Sequence, residues 1–220
     1  MGTKGGILAF LIIAGIGIVI SYFLIKPDDV LPIYQPSDLK PVLVDADQRG
    51  KEDHRVSDFK LINQLGDTVT REDVGQKIVI ADFFFARCQT ICPVMNENMA
   101  RLQDYFKGSD DIILLSHSVT PDYDTPEVLY EYGERYGADP SMWWLMTGEK
   151  THIYELARRS YFAVLDEGDG GMQDFVHTEN VVLVDREGRL RGFYDGTNLE
   201  EMNQLIADVG RLREERVGEE

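Results

Sequence analysis

Two residue classes are scarce in this chain of 220 residues: it has only two cysteines, and 22 basic residues stand against 39 acidic ones. The resulting net charge of −17 repels nucleic acid and anionic lipid, so no nucleic-acid partner is expected. Such a surface suits a soluble domain, or one that meets a cationic partner or a metal ion. Internal repeats and low-complexity segments are also absent, and the residues after position 25 make up one domain's length.

One long hydrophobic run is present near the N terminus, uncharged from Gly5 to Ile25. A helix of this length measures about 31 Å, enough to cross a bilayer. The run is too long for a signal-peptide core, no small-x-small cleavage pattern follows it, and no Arg-rich transit peptide precedes it. Lys4 on one side and Asp28 and Asp29 on the other favour a cytoplasmic N terminus. We therefore expect a single-pass protein of the bacterial inner membrane whose soluble domain faces the periplasm.

The remainder of the chain divides into a stalk and a folded domain. Residues 1–25 form the predicted membrane anchor, and residues 26–57, with half of the eight prolines, read as a semi-rigid stalk. From residue 58 to 220, strand-like and helix-like segments alternate, and they end in a hairpin and a helix. This order predicts an α/β sandwich of the thioredoxin-like class. The last helix is predicted to start at a capping box, Thr197-x-x-Glu200, and to bury Leu199, Met202, Leu205, Ile206, Val209 and Leu212.

The two cysteines lie where a buried strand gives way to a helix. The apolar strand 77–85 precedes Cys88, and Cys92 is followed by Pro93, a favoured first residue of a helix. Helix N-terminal amides stabilise a thiolate, which is both a nucleophile and a soft metal ligand. The pair can therefore cycle between dithiol and disulfide or hold a soft metal ion. Redox motifs usually place two residues between the cysteines; here there are three, which lets both sulfurs face one ion.

A copper ion held by two thiolates needs a further ligand, and a neutral imidazole would complete a trigonal set. His54 and His152 are expected at the surface, and His117 ends a buried strand, where it can be a satisfied core residue. His177 is the candidate ligand, because it lies between a Gly-rich loop over residues 165–173 and a hairpin strand.

Methionine thioethers are the other soft donors in the chain. Met95 and Met99 recur at helical spacing and are assigned to the core. Met172, close to His177 in sequence, is kept as a transient copper contact.

Three segments resemble the Sco (SenC) family: Phe83–Pro93, Ser118–Pro126, and Phe175–His177 followed by the hairpin 181–188. These are membrane-anchored thioredoxin-fold proteins that bind copper and help to assemble the copper A centre of cytochrome c oxidase. The resemblance runs from about residue 55 to the C terminus. It implies that Cys88, Cys92 and His177 ligate copper, as Cu(I) and, in a further state, Cu(II). It also implies a partner, the oxidase subunit with the copper A site, and other copper carriers of the envelope are further candidates.

One departure from the family concerns Thr120, where members commonly have Asp within Ser-Val-Asp-Pro. In the family, that acidic residue is linked to the surroundings of the site and not to direct ligation of the metal. Its replacement by Thr120 therefore puts the surroundings of the site in question and leaves the implied ligand set unchanged. Asp122 and Asp124 are candidates to replace it.

Asp82 introduces a redox alternative. The run Ala81–Cys88 resembles the Val-Asp-Phe-Trp-Ala-x-x-Cys run of thioredoxins, in which the buried Asp assists proton transfer to the cysteine pair. A carboxyl inside an apolar strand should have a raised pKa. The other interpretation is a hydrogen-bonded strand residue with no chemical role.

Three functions follow from these residues. The first is a copper metallochaperone, which is not an enzyme and which passes copper to an oxidase subunit. The second is an envelope thiol–disulfide reductase, with Cys88 attacking and Cys92 resolving. A thiol peroxidase is the weakest, because no local peroxidase motif is evident. His177 separates the first two, since only a copper site needs it.

Overall fold

The structure, a computed structural model, describes residues 13–17, 30–38, 53–164, 176 and 178–215. The chain divides into a unit of residues 1–30 and a unit of residues 31–220. In the first unit, residues 13–17 are helical and fall within the predicted membrane span, most of which lies outside the described residues. Among the residues that are described, no helix has both the length and the apolar character needed to cross a membrane. The span stays a prediction.

The second unit is built on a seven-stranded mixed sheet with the order β2-β1-β5-β4-β3-β6-β7. Strands β3 and β4 run parallel, as do β4 and β5, and the other neighbours are antiparallel. The two central strands are buried along their whole length, as their continuous apolar runs predict. The strands are β1 Lys60–Asn63, β2 Thr68–Thr70, β3 Ile78–Phe84, β4 Ile112–Ser118, β5 Trp143–Thr147, β6 Asn180–Val184 and β7 Leu190–Asp195.

Capping residues mark both ends of one helix. Thr125 accepts a hydrogen bond from the Val128 amide at its start, and Gly137 ends it with φ 66°. The helix over Lys150–Glu155 is short and continues into a π-helical turn, Leu156–Ser160. The helices are α1 Arg71–Val74, α2 Cys92–Tyr105, α3 Pro126–Tyr136, α4 Lys150–Glu155 and α5 Leu199–Glu215.

Two hydrophobic cores lie on opposite faces of the sheet. Side chains alternate along β3, so Val79, Ala81 and Phe83 pack in one core and Ile80 and Phe84 in the other. The first core is closed by α4 and the π-helical turn, and the second by α2, α3 and α5. Helices on both faces of the sheet confirm the predicted α/β sandwich.

The predicted start of α5 is wrong. The Thr197 hydroxyl donates to the Asp195 carboxylate at 2.6 Å, and the helix begins at Leu199, two residues later. Asn198 replaces it, accepting a hydrogen bond from the Glu200 amide at 2.9 Å. Leu199, predicted to be buried, is 48% exposed because it lies at the first turn, outside the contact with the sheet. Ile206 is half-buried, and the other predicted positions of α5 are buried.

Part of the segment predicted as a stalk contacts the sheet. The Tyr34 amide donates to the Leu190 carbonyl at 2.9 Å, which joins residue 34 to β7. The Arg191 guanidinium is 2% exposed and donates to the Leu31 carbonyl at 2.7 Å. The same group pairs with Asp185 and Glu215. The described residues 31–34 therefore lie against β7 and α5, and the domain boundaries stay predictions.

Candidate metal centre

The cysteines occupy the cysteine loop, residues 85–91, and the first turn of α2. Parallel strands present their C-terminal ends at one edge of a sheet, and β3 delivers the loop at that edge. The Cys88 amide donates to the Phe85 carbonyl at 3.1 Å, which closes a turn. Cys92 is the first residue of α2, and Pro93 lies in its first turn, as predicted. The strand–loop–helix order therefore brings both sulfurs to the N-terminal end of a helix.

The two thiols are free and face each other. The Cys92 amide donates to Cys88 Sγ at 3.4 Å, and Thr90 Oγ1 lies 3.6 Å from the same sulfur. Cys88 is 8% exposed and Cys92 is 2% exposed. A helix N-terminal amide directed at a sulfur favours the thiolate.

The environment separates the pKa values of the two thiols. Burial of Cys88 opposes its ionisation, but hydrogen bonds from Cys92 and Thr90 outweigh this effect and lower its pKa to about 7. Burial, together with the hydrogen bond to Cys88, raises the pKa of Cys92 to about 12. Near neutral pH, one sulfur is therefore available as a thiolate, and the other keeps its proton until a cation or an electrophile replaces it.

Asp82 lies in β3, inside the core that is shared with α2. It is fully buried, and Ser116 donates a short hydrogen bond to its Oδ1, while the Trp143 indole donates to the Ser116 hydroxyl at 2.8 Å. Within the described residues, its Oδ2 has no hydrogen-bond partner. Burial raises the pKa of Asp82 to about 7. Its part in proton transfer stays a prediction.

The described histidines are not grouped with the cysteines. His117 is fully buried, and its ring stacks on Phe83 at 4.8 Å in the core on the other face of the sheet. His54, expected at the surface, is half-buried instead, because its ring packs on Phe162 at 4.7 Å and its Nε2 lies 2.8 Å from the Ser160 carbonyl oxygen. His152 is also half-buried.

His177 and Met172 lie outside the described residues. Across the positions that are described, no group of three His, Cys, Asp or Glu side chains could hold a metal ion.

The residue before His177 is tied to the edge of the sheet where the cysteine loop starts. Val176 is buried, and its amide donates to the Tyr154 hydroxyl at 3.4 Å. That hydroxyl donates to the Val119 carbonyl at 2.9 Å, and the Val119 amide donates to the Phe84 carbonyl at 2.8 Å. Residue 176 is thus connected to Phe84, the last residue of β3, through three hydrogen bonds and two intervening residues, Tyr154 and Val119.

Of the two acids that could replace the family's usual Asp, only Asp124 is buried. Its Oδ2 accepts from the Thr120 hydroxyl at 2.9 Å and from the Ala86 amide at 3.1 Å, whereas Asp122 is exposed. Spacing alone did not separate the two, because both lie in the same loop after β4.

Comparisons with known proteins identify the family that shares this fold. The family model described as SCO1/SenC matches residues 47–214 of this chain. The chain belongs to the SCO1/SenC family. A relative, the SCO1 protein homolog of Bacillus subtilis, is 31% identical over 158 residues, which cover 71% of this chain and 81% of that protein.

Solved structures of family members share the fold. A SCO1/SenC family lipoprotein from Bacillus anthracis is 31% identical with a TM-score of 0.64, covering 75% of this chain and 98% of that one. BsSco, described with a disulfide switch and as a member of the Sco family of cytochrome c oxidase assembly proteins, is 30% identical with a TM-score of 0.62, covering 73% and 96%. Arabidopsis thaliana ScoI, solved with copper bound, is 25% identical with a TM-score of 0.56, covering 72% and 98%. The thioredoxin-like fold and the family resemblance are thereby confirmed.

Proposed function

We propose that this protein is a copper metallochaperone, anchored in the bacterial inner membrane, that delivers copper from its periplasmic domain to the copper A centre of cytochrome c oxidase. The observation that carries the proposal is the pair of free thiols joined by an N–H···S hydrogen bond at the start of α2. Two family members support it: ScoI from Arabidopsis was solved with copper bound, and BsSco is described among oxidase assembly proteins. The oxidase subunit with the copper A site is the proposed recipient, and other envelope copper carriers are further candidates.

The proposed cargo site consists of Cys88, Cys92 and His177. Two thiolates are soft donors that favour Cu(I), and a neutral imidazole completes three-coordination without adding charge. Cys92 holds its proton firmly, with a pKa of about 12, so copper must displace that proton on binding. Copper release to a partner's thiolates then returns the proton to Cys92, which favours transfer over permanent retention.

The position of Val176 supports His177 as the third ligand. Its hydrogen bond to Tyr154, and that of Tyr154 to Val119, hold the chain next to His177 at the edge of the sheet where β3 ends. The cysteine loop leaves from the same edge.

The test is His177→Ala compared with His152→Ala, a half-buried histidine of α4 that serves as the matched control. Loss of one ligand of three should weaken copper binding by at least tenfold, while both variants keep two titratable thiols. In cells, the oxidase copper content should fall with His177→Ala and stay normal with His152→Ala. Normal oxidase copper in the His177→Ala strain would rule out this mechanism.

A thiol–disulfide reductase is the second candidate, and the separated thiol pKa values favour it. The Cys88 thiolate would attack a substrate disulfide, forming a mixed disulfide and releasing one substrate thiolate. Cys92 would then lose its proton and attack Cys88 Sγ, which releases the second substrate thiolate and leaves a Cys88–Cys92 disulfide. Asp82 is the candidate acceptor for that proton. This activity needs no imidazole, so His177→Ala should leave it intact.

A further inference from the structure

We infer that Asp124 is a positioning residue for Cys88: it fastens the cysteine loop to the support loop, residues 119–125, and so keeps Cys88 facing Cys92. The inference concerns the pair on which the proposed function rests, but its first test needs no copper.

A single carboxylate oxygen of Asp124 joins the cysteine loop to the segment formed by the end of β4 and the support loop. Its Oδ2 accepts from the Ala86 amide in the cysteine loop at 3.1 Å. The same oxygen accepts from the Ser118 hydroxyl at the end of β4 at 2.6 Å and from the Thr120 hydroxyl in the support loop at 2.9 Å. This one oxygen therefore accepts three hydrogen bonds, and one of them comes from the cysteine loop.

A second contact joins the same loops on the outside. The Arg87 guanidinium lies 3.6 Å from the centre of the Tyr123 ring, which is 58% exposed. Arg87 follows Ala86 and Tyr123 precedes Asp124, so the inner hydrogen bond and the outer cation–π contact hold the same stretch of backbone. Exposed contacts of this kind are weak, so the buried carboxylate dominates.

Capping of the helix that follows does not account for Asp124. It is fully buried, and its Oδ1 has no hydrogen-bond partner within the described residues, an arrangement that costs stability. It does not cap α3, because Thr125 accepts the hydrogen bond from Val128. Its only hydrogen bond to the cysteine loop goes to Ala86, two residues before Cys88.

The consequence follows from conformational entropy. In the reduced protein, the Asp124 contact restricts the loop that carries Cys88, whereas a disulfide restricts it in any case. Removing the contact therefore gives the dithiol more conformations and leaves the disulfide little changed. The equilibrium should then shift towards the dithiol. Copper binding should weaken for the same reason, since the bound ion also holds both sulfurs in place.

The experiment measures the equilibrium of the full-length protein in detergent with glutathione. Dithiol protein and oxidised glutathione give disulfide protein and two reduced glutathione molecules, so two electrons pass from the cysteine pair to glutathione. Asp124→Ala should lower this equilibrium constant at least tenfold, which raises the potential by about 30 mV. Thr120→Val, which removes one of the three donors, should lower it about threefold. Asp124→Asn, which keeps an acceptor oxygen, should recover most of the wild-type value.

Two controls separate positioning from general destabilisation. Asp122→Ala removes an exposed carboxylate from the same loop, and its equilibrium constant with glutathione should stay within twofold of the wild-type value. Leu61→Ala truncates a buried side chain in the core on the other face of the sheet. It should lower the free energy of unfolding without changing the reduction potential of the cysteine pair. An equilibrium constant within twofold of the wild-type value for a folded Asp124→Ala protein would overturn the inference. If that variant does not fold, an equilibrium constant of Thr120→Val within 1.5-fold of the wild-type value overturns it.

A second measurement with Cu(I) distinguishes this inference from the proposed function. Copper release from Thr120→Val and from Asp124→Ala should be faster than from the wild type. The fold-increase in each release rate should be about equal to the fold-decrease in that variant's equilibrium constant with glutathione. If wild-type protein binds no copper, the proposed function fails, while the redox result still decides the role of Asp124.

Discussion

Replacing Asp82 by Asn should make the free energy of unfolding less dependent on pH between about pH 4 and pH 7. Burial in the sheet raises the pKa of this carboxyl from 3.8 to about 7, and the hydrogen bond from Ser116 only partly opposes that change. In the unfolded chain the carboxyl returns to its ordinary pKa. Across this window the folded protein binds more protons than the unfolded chain, so stability falls as pH rises. The contribution of Asp82 is complete at the acidic end and is lost once the pH exceeds about 7.

The size of the effect follows from the two pKa values. One pKa unit corresponds to 1.36 kcal/mol, so a shift from 3.8 to about 7 is worth on the order of 4 kcal/mol. Asn has nearly the same shape as Asp and stays neutral throughout. The stability of Asp82→Asn relative to the wild type should therefore grow by on the order of 4 kcal/mol between pH 4 and pH 8.

Urea unfolding of the reduced protein, followed by circular dichroism at several pH values, measures this difference. Asp122→Asn is the control, since it alters an exposed carboxylate of the same charge. If the free energies of unfolding of the wild type and Asp82→Asn, plotted against pH, stay parallel to within about 0.5 kcal/mol, Asp82 does not titrate in this window and its pKa is not raised as stated.

Two further predictions concern the thiols and the segment before the domain. Alkylation near pH 7, followed by peptide mass spectrometry, should modify Cys88 well before Cys92, because their pKa values are about 7 and about 12; equal rates would contradict the proposed asymmetry. Arg191→Met removes a buried guanidinium that pairs with Asp185 and with the half-buried Glu215. Arg189 still pairs with Asp185, so the free energy of unfolding should fall by about 3 kcal/mol in urea titrations, the lower end for a broken buried pair, whereas a loss below about 1 kcal/mol would show that the ion pairs are not needed.

Local sequence signals predicted the elements that carry the cysteines. The apolar run of β3 and the Cys-Pro start of α2 depend on neighbouring residues, so they can be read without tertiary information. The same holds for α3, where Thr125 and Gly137 determine both ends. These signals are sufficient to place Cys88 and Cys92 at a helix N terminus.

Tertiary contacts explain what the sequence did not show. Thr197 matches a capping box, but Asn198 is the residue whose side chain accepts from the first turn of the helix. His54 lies among polar residues in sequence, yet packs on Phe162 more than 100 positions away. Asp122 and Asp124 look equivalent in the sequence, and only the fold brings one of them to the Ala86 amide.

Copper titration of the purified full-length protein tests whether Cys88 and Cys92 are copper ligands. Anaerobic Cu(I) is added to the reduced protein and to protein whose Cys88 and Cys92 have been oxidised to a disulfide, and the bound metal is measured after gel filtration. We expect one tightly bound copper ion per chain in the reduced protein and none in the oxidised protein. Equal copper binding by both forms would contradict this expectation, because the two thiolates would then not be the ligands.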